Sequence, residues 1–126
     1  MKKPRFTTLP FFVYPVRDMA RARRFYTQVL GLRETANWND EWIEFDVGRG
    51  TVALSTVMQS RHQGGSSGAV ALECANFEDT VAWLRHHHVS FALEPSDTGV
   101  CQFAVFEDTE GNRLVLHRRQ RRKQKP

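Results

Sequence analysis

Apolar residues recur at helical spacing in the segment that follows Asp18. The positions that would share one face of a helix are Met19, Ala22, Phe25, Tyr26, Val29 and Leu30. Asp18 stands where an N-cap is expected, and Gly31 follows the last apolar residue, where glycine commonly ends a helix. The pattern predicts a helix over residues 19–30.

Short apolar runs bounded by turn residues surround this helix. They span residues 11–16, 32–38, 42–47 and 51–58, and Asn39-Asp40 and Gly48-Arg49-Gly50 separate the last three. Runs of this length between turn residues are typical of strands. The first half of the chain therefore predicts the element order β-α-β-β-β.

The same order of elements returns in the second half of the chain. Residues 59–68 contain no large apolar side chain and predict a linker. A strand over 69–74, a helix from Asn76 to about Arg85 and strands over 89–93, 101–106 and 112–117 follow. Asp18 matches Asn76 and Phe25 matches Trp83, a constant offset of 58 positions (76 − 18 = 83 − 25). The pattern predicts one domain over 6–117, built from two βαβββ modules at about 10–58 and 69–117.

Length and composition limit the class of protein. The chain has 126 residues, of which 40% are hydrophobic and 25% charged, which fits one globular domain and excludes a disordered or fibrous chain. No apolar run approaches the ~18 residues of a membrane span, and the basic start lacks the apolar stretch of a signal peptide. Cys74 and Cys101 form no Cys-x-x-Cys unit, which argues against a disulfide framework or a zinc finger. We therefore expect a cytoplasmic protein without membrane partners.

Basic residues concentrate at the two ends of the sequence. Residues 1–5 and 118–126 hold nine of the eighteen Lys and Arg and none of the fourteen Asp and Glu. Residues 6–117 therefore carry a net charge of 9 − 14 = −5, which favours a cationic partner. The C-terminal run lacks interleaved aromatic residues and any motif that reads nucleic acid. We expect 118–126 to be a solvated basic tail and do not expect nucleic-acid binding.

Short motifs within the two modules resemble the vicinal oxygen chelate superfamily. They are Phe25-Tyr26 in the first helix, Leu30-Gly31-Leu32 after it, and Asp108-Thr109-Glu110-Gly111-Asn112-Arg113-Leu114 near the end. The superfamily includes glyoxalase I, the fosfomycin and bleomycin resistance proteins and the extradiol dioxygenases. The resemblance covers about residues 10–117 and departs at Thr109, where the family usually has proline. It implies an α+β fold whose two βαβββ modules form a curved mixed sheet around a cleft, and a homodimer.

Enzymes of this superfamily hold a divalent metal in the cleft, with ligands from the first and last strands of the modules. Counting from the motifs puts those ligand positions at Phe11, Ala69 and Val115, none of which can ligate a metal. The strand at 51–58 contains no carboxylate, imidazole or thiol, so a shifted register supplies no ligand. Consecutive histidines at 86–88 point about 100° apart on a helix and do not converge. The resemblance therefore predicts a cleft without metal or other cofactor.

The two-residue period of strands separates residues that would face the cleft from residues that would face the helices. If Phe11 and Val115 face the cleft, alternate residues such as Tyr14 and Leu114 form the core. The cleft face is mostly apolar, as in small-molecule sites. Three aromatic residues on neighbouring strands either stack on a ligand or pack internally. The candidate ligand-binding residues are Phe11, Val13, Trp38, Trp42, Ala71, Glu73, Phe103, Val115 and His117.

Two functions remain open at this point. The first is binding of a small organic molecule, partly aromatic or cationic, by sequestration as in bleomycin resistance proteins. The second is a lyase or dioxygenase-type enzyme, either metal-dependent with displaced ligands or metal-free with Glu73 and His117 as acid and base. The metal-free enzyme needs an apolar cleft that raises the pKa of the Glu73 carboxyl. Glu73 and His117 are equally explained as solvated residues at strand ends.

Overall fold

In the part of the chain that the structure describes, eight strands and two helices alternate in the predicted order. The structure is a computed structural model that describes Arg5 and residues 11–57, 69–99 and 101–120. The elements of the first module are β1 (Phe12–Pro15), α1 (Met19–Arg24), β2 (Arg33–Trp38), β3 (Trp42–Val47) and β4 (Gly50–Ser55). Those of the second are β5 (Ala69–Glu73), α2 (Phe77–His86), β6 (Phe91–Asp97), β7 (Cys101–Glu107) and β8 (Arg113–Arg119). The α+β class is confirmed, and the predicted linker at 59–68 lies outside the described residues.

Each module forms its own four-stranded mixed sheet. Sheet A has the order β1-β4-β3-β2, and sheet B has the order β5-β8-β7-β6. In both sheets the first strand of the module runs parallel to the last, and the other neighbours are antiparallel. Val13 pairs with Ala53 in sheet A, and Ala71, which lies 58 positions after Val13, pairs with Val115 in sheet B. The internal repeat is therefore a repeat of topology.

The first helix differs from the prediction in its second half. It begins as predicted, with the Asp18 carboxylate accepting a hydrogen bond from the backbone N–H of Arg21 at 3.0 Å. From Phe25 to Val29 it is a π-helix, and the N–H of Leu30 donates to the carbonyl of Phe25 at 3.0 Å. Phe25 and Tyr26 are consecutive and both buried. The wider π turn accommodates two adjacent large side chains in the core, which a regular α-helix would direct about 100° apart.

Two strands of the second module have other bounds than predicted. The strand predicted at 89–93 is β6, which runs to Asp97 and contains Pro95. β6 is an edge strand, and its pairing with β7 is irregular between Leu93 and Ser96, which is where a sheet tolerates proline. β8 continues to Arg119, so the first two residues of the predicted basic tail pair with β7. Residues 121–126 of that tail lie outside the described residues.

Burial confirms which strand residues face the helices. Tyr14 and Leu114 have no exposed surface, whereas Ala71 on the other face of its sheet is exposed. Core residues from both modules form one cluster, which includes Tyr26 and Phe45 of the first module and Phe106 of the second. The helix-facing sides of sheets A and B therefore share one apolar core, which leaves the opposite sides of the sheets, here called the far faces, to other roles. No helix of the described residues is long and apolar enough to span a membrane.

A buried polar network joins the β7–β8 turn to the first module. The hydroxyl of Tyr26 donates to Oδ2 of Asp108 at 3.0 Å, and the side-chain amide of Asn112 donates to the same oxygen at 2.9 Å. Oδ1 of Asp108 accepts the backbone N–H groups of Glu110 and Asn112, each at 2.8 Å. The amide of Asn112 also reaches the carbonyl of Pro15 in β1 at 3.1 Å. The Asp-x-x-Gly-Asn motif thus fixes one module against the other.

A tyrosine in β1 makes a second connection between the modules. The hydroxyl of Tyr14 donates to the carbonyl of Arg113 in β8 and accepts the backbone N–H of Val70 in β5 at 2.7 Å. Burial raises the pKa of Tyr14 to about 12, so the hydroxyl stays protonated and can donate. These contacts hold β1 beside the first and last strands of the second module, which are the strands of sheet B that carry candidate site residues.

Candidate functional site

Three aromatic residues and a carboxylate cluster on the far face of sheet A. Trp38 and Trp42 are opposite each other in the β2–β3 register. The ring of Phe11 meets Trp42 edge-on, with centroids 5.5 Å apart and planes at 86°. Nε1 of Trp42 donates to Oε2 of Glu44 at 2.8 Å. We call Phe11, Trp38 and Trp42 the aromatic patch. Glu44 is a negative group beside the aromatic patch that sequence reasoning missed, although its two-residue spacing from Trp42 was a usable signal.

The aromatic patch is largely exposed in a single chain. Trp38 is 55% exposed and Phe11 is 46% exposed. Two small residues of β4 on the same face, Ala53 and Ser55, are fully buried. The far face of sheet A therefore has a covered centre and an exposed aromatic margin. Aromatic side chains on such a margin offer stacking surface to a ligand or to another chain.

The far face of sheet B carries the second group of candidate residues. Ala71 lies opposite Val115 in the β5–β8 register, and Val115 lies opposite Val105 in β7. Two positions further along β5 and β8, Glu73 pairs with His117, and His117 lies opposite Phe103. Sheet B thus presents an apolar floor that ends in a carboxylate, an imidazole and an aromatic ring.

Glu73 and His117, named here the dyad, are in direct contact. Nδ1 of His117 lies 2.6 Å from Oε1 of Glu73, and Oε2 of Glu73 accepts the backbone N–H of Arg119 at 2.8 Å. The hydrogen bond from Arg119, followed by the one from His117, holds the pKa of the Glu73 carboxyl below its ordinary value. The expected rise in this pKa is wrong, because the Glu73 side chain is 61% exposed and bound by N–H donors. Glu73 is an ionised carboxylate at neutral pH.

The predicted site residues form two sets, one on each sheet. Sheet A brings together Phe11, Val13, Trp38 and Trp42, and sheet B brings together Ala71, Glu73, Phe103, Val115 and His117. Within the described ranges, no hydrogen bond, ion pair or ring contact connects one set with the other. Each sheet therefore contributes its own surface to any common site.

A cavity that the sequence did not indicate lies between the modules on the helix-facing side. It has a volume of about 400 Å³, and its lining combines the end of the π-helix, β5 and α2. Trp83 borders this cavity and donates through Nε1 to the carbonyl of Val29 at 2.9 Å. Of the candidate residues, Glu73 also borders it. Residues such as Leu72 and Leu84 look like ordinary core positions in the sequence, so only the packing of the modules reveals the space between them.

The residues at the expected metal positions do not fit a metal. Phe11, Ala69 and Val115 offer no side-chain donor, and divalent ions in proteins need three or more converging oxygen, nitrogen or sulfur ligands. Across the described residues, no group of three His, Cys, Asp or Glu is arranged to hold a metal ion. The dyad supplies two potential ligands, which is too few for a closed site.

Comparison with solved structures identifies the fold. The antibiotic binding protein TnmS3 from Streptomyces sp. CB03234 has a TM-score of 0.78 at 20% identity, over 94% of this chain and 100% of that one. A lactoylglutathione lyase from Agrobacterium tumefaciens has a TM-score of 0.73 at 15% identity, over 92% and 96% of the two chains. The fosfomycin resistance protein FosX from Mesorhizobium loti has a TM-score of 0.72 at 19% identity, over 92% and 95%. At these identities the likeness concerns the fold alone.

Comparison at the level of sequence identifies the family. No curated protein matches the chain. The sequence profile described as Glyoxalase/Bleomycin resistance protein/Dioxygenase superfamily matches residues 8–116, which is most of the chain. The match includes both βαβββ modules and the Asp-x-x-Gly-Asn turn that joins them. The chain therefore belongs to the Glyoxalase/Bleomycin resistance protein/Dioxygenase superfamily.

Proposed function

We propose that the protein binds a small organic molecule on the far faces of its sheets, without a metal. The observation that carries this proposal is the aromatic patch, in which Trp38 and Phe11 are about half exposed beside Trp42 and the Glu44 carboxylate. Large aromatic side chains grouped on a sheet face are commonly covered by a ligand or a partner. A carboxylate beside them adds a polar anchor, which is the usual composition of a small-molecule site.

The far face of sheet B supports the same proposal. Ala71 is exposed, so the floor opposite Val115 offers room beside an apolar surface. The dyad lies at the end of this floor and supplies a donor and acceptors for orienting a ligand. One structural relative is named an antibiotic binding protein, which agrees with this class of function. We infer that the ligand is an organic molecule with an aromatic or apolar body.

We also propose that two copies of the chain pair through these surfaces. Exposed apolar groups occur on both sheets, at Phe11 and Trp38 of sheet A and at Leu93 of sheet B. A second copy would cover them and would bring a far face of each sheet type to the same cleft. A homodimer with a shared cleft and a cytoplasmic location complete the proposal.

A second candidate function is metal-free acid–base catalysis. The observation that favours it is the 2.6 Å contact of His117 with Glu73, a carboxylate that orients an imidazole as in many catalytic sites. The metal-dependent lyase or dioxygenase that the family also contains is less well supported, because Phe11, Ala69 and Val115 replace its ligands. Metal content distinguishes this enzyme from a metal-free binding protein.

We expect the purified protein to contain well below one divalent metal ion per chain. The reason is that three positions without donors cannot be replaced by the dyad alone. The measurement is elemental analysis of protein prepared without chelator, and of a second sample incubated with excess Zn²⁺ or Mn²⁺ and then desalted. Stoichiometric metal that is lost in the Glu73→Gln or His117→Gln variant would contradict the proposal and favour the metal-dependent enzyme.

A further inference from the structure

The dyad has a defined direction for its proton. Glu73 is ionised and is held through both oxygens, by the N–H of Arg119 and by Nδ1 of His117. An ionised carboxylate only accepts hydrogen bonds. Nδ1 of His117 must therefore be the donor, so the neutral imidazole carries its proton on Nδ1. Its lone pair for a further proton is then on Nε2.

Nε2 of His117 is available to a ligand on sheet B. Within the described ranges, the hydrogen bond of the His117 ring is the one that Nδ1 makes with Glu73. The His117 side chain is 30% exposed and lies between the aromatic ring of Phe103 and the carboxylate. Val115 precedes it on the same face of β8. A molecule lying on the apolar floor would have an acceptor nitrogen at its edge.

The charges around the dyad do not oppose an anion there. The other charged or titratable side chains on the far face of sheet B are Cys101, Glu107, Arg113 and Arg119. Arg113 and Glu107 lie opposite each other, and Arg119 is two positions from His117 on the same strand. The net charge of −5 over residues 6–117 is spread across the domain and is screened beyond ~8 Å at physiological salt. Local charges therefore decide which form of a ligand is favoured at the dyad.

We propose that His117 takes a proton from a hydroxyl group of the bound molecule, so that the site selects neutral aromatic molecules with an acidic hydroxyl and holds them as anions. The O–H bond of the ligand breaks, its proton passes to Nε2, and the bonding electron pair stays on the ligand oxygen. The resulting imidazolium is bound by the Glu73 carboxylate on one side and the ligand oxyanion on the other. This inference rests on the proposed function, because it requires a ligand seated on sheet B.

The test uses para-nitrophenol, whose anion and neutral form absorb at different wavelengths. Binding is measured by quenching of tryptophan fluorescence, and ionisation of the bound probe is measured by absorbance against pH at saturating protein. We expect the bound probe to ionise about one pH unit lower than the free probe, a tenfold gain in acidity. In His117→Gln the bound probe should ionise at the pH of the free probe or above it. His87→Gln, at an exposed histidine that ends α2, should leave the shift unchanged.

The outcomes separate this inference from the proposed function. If para-nitrophenol binds without a shift, or with the same shift in His117→Gln, the proton transfer is wrong and the binding function stands. If para-nitrophenol does not bind but other compounds quench the fluorescence, the preference for acidic hydroxyls is wrong. If no compound of a broad screen binds, both proposals fail.

Discussion

Replacing Asp108 with alanine is expected to lower the free energy of unfolding by about 3 kcal/mol or more. The change leaves four donors without their acceptor: the hydroxyl of Tyr26, the backbone N–H groups of Glu110 and Asn112, and the side-chain amide of Asn112. Because these groups connect the two modules, the loss affects the whole domain. Urea unfolding followed by tryptophan fluorescence measures it, against a total stability of typically 5 to about 15 kcal/mol.

Asp46→Ala is the matched control for this variant. Asp46 pairs with Arg33 at 2.6 Å, but both side chains are substantially exposed. An exposed ion pair contributes about 1 kcal/mol at most, so this variant should remain close to the wild type. Equal losses in the two variants would contradict the role of the buried network.

The pH dependence of an Asp108→Asn variant follows from the same network. Burial raises the pKa of Asp108 in the folded protein, although its hydrogen bonds oppose the change. A raised folded-state pKa stabilises the protein below the unfolded-state pKa, and this stabilisation is lost as pH rises through the folded-state value. The wild type should therefore exceed the variant by more at acidic pH than at neutral pH. A difference that grows towards neutral pH would be the opposite of this expectation.

Ala71→Trp is expected to weaken ligand binding by about tenfold or more while the melting temperature stays within a few degrees of the wild type. Ala71 is exposed on the far face of sheet B, so an indole has space there, and it would occupy the floor opposite Val115. Binding is measured by titration with a compound from a fluorescence screen, and stability by thermal unfolding. Unfolding of the variant would show that Ala71 is packed, since overfilled cores are destabilised.

Ala82→Trp separates the site from a general effect of adding an indole. Ala82 is exposed on α2, on the helix side of sheet B. The added indole there should change neither ligand binding nor the melting temperature. If both tryptophan variants bind the ligand as well as the wild type does, the floor of sheet B is not part of the site.

The sequence predicted those features that local periodicity determines. The two-residue period of strands correctly separated Tyr14 and Leu114, which are buried, from Ala71, which is exposed. The pairing of turn residues with apolar runs gave the βαβββ order twice, and Asp18 and Gly31 marked both ends of the first helix. The residue pair Glu73 and His117 could be placed on one strand face by parity, so their contact at 2.6 Å agrees with the pattern.

Features that depend on contacts between distant segments were beyond the sequence. The π-helix at Phe25–Val29 arises because Phe25 and Tyr26 both enter a core to which the second module contributes. The lowered pKa of Glu73 depends on the backbone N–H of Arg119, which belongs to a strand end that the pattern placed in the tail. The cavity beside Trp83 depends on how closely the modules pack, which no periodicity encodes.

The central claim is that the ligand binds on the far faces of the sheets and not in the cavity between the modules. The chain has three tryptophans: Trp38 and Trp42 lie in the aromatic patch, and Trp83 borders the cavity. Ligand-induced quenching in Trp83→Phe, compared with quenching in the Trp38→Phe/Trp42→Phe double variant, distinguishes the two locations. We predict saturable quenching in Trp83→Phe and none in the double variant. Quenching that is absent in Trp83→Phe and present in the double variant would contradict the claim and place the ligand in the cavity.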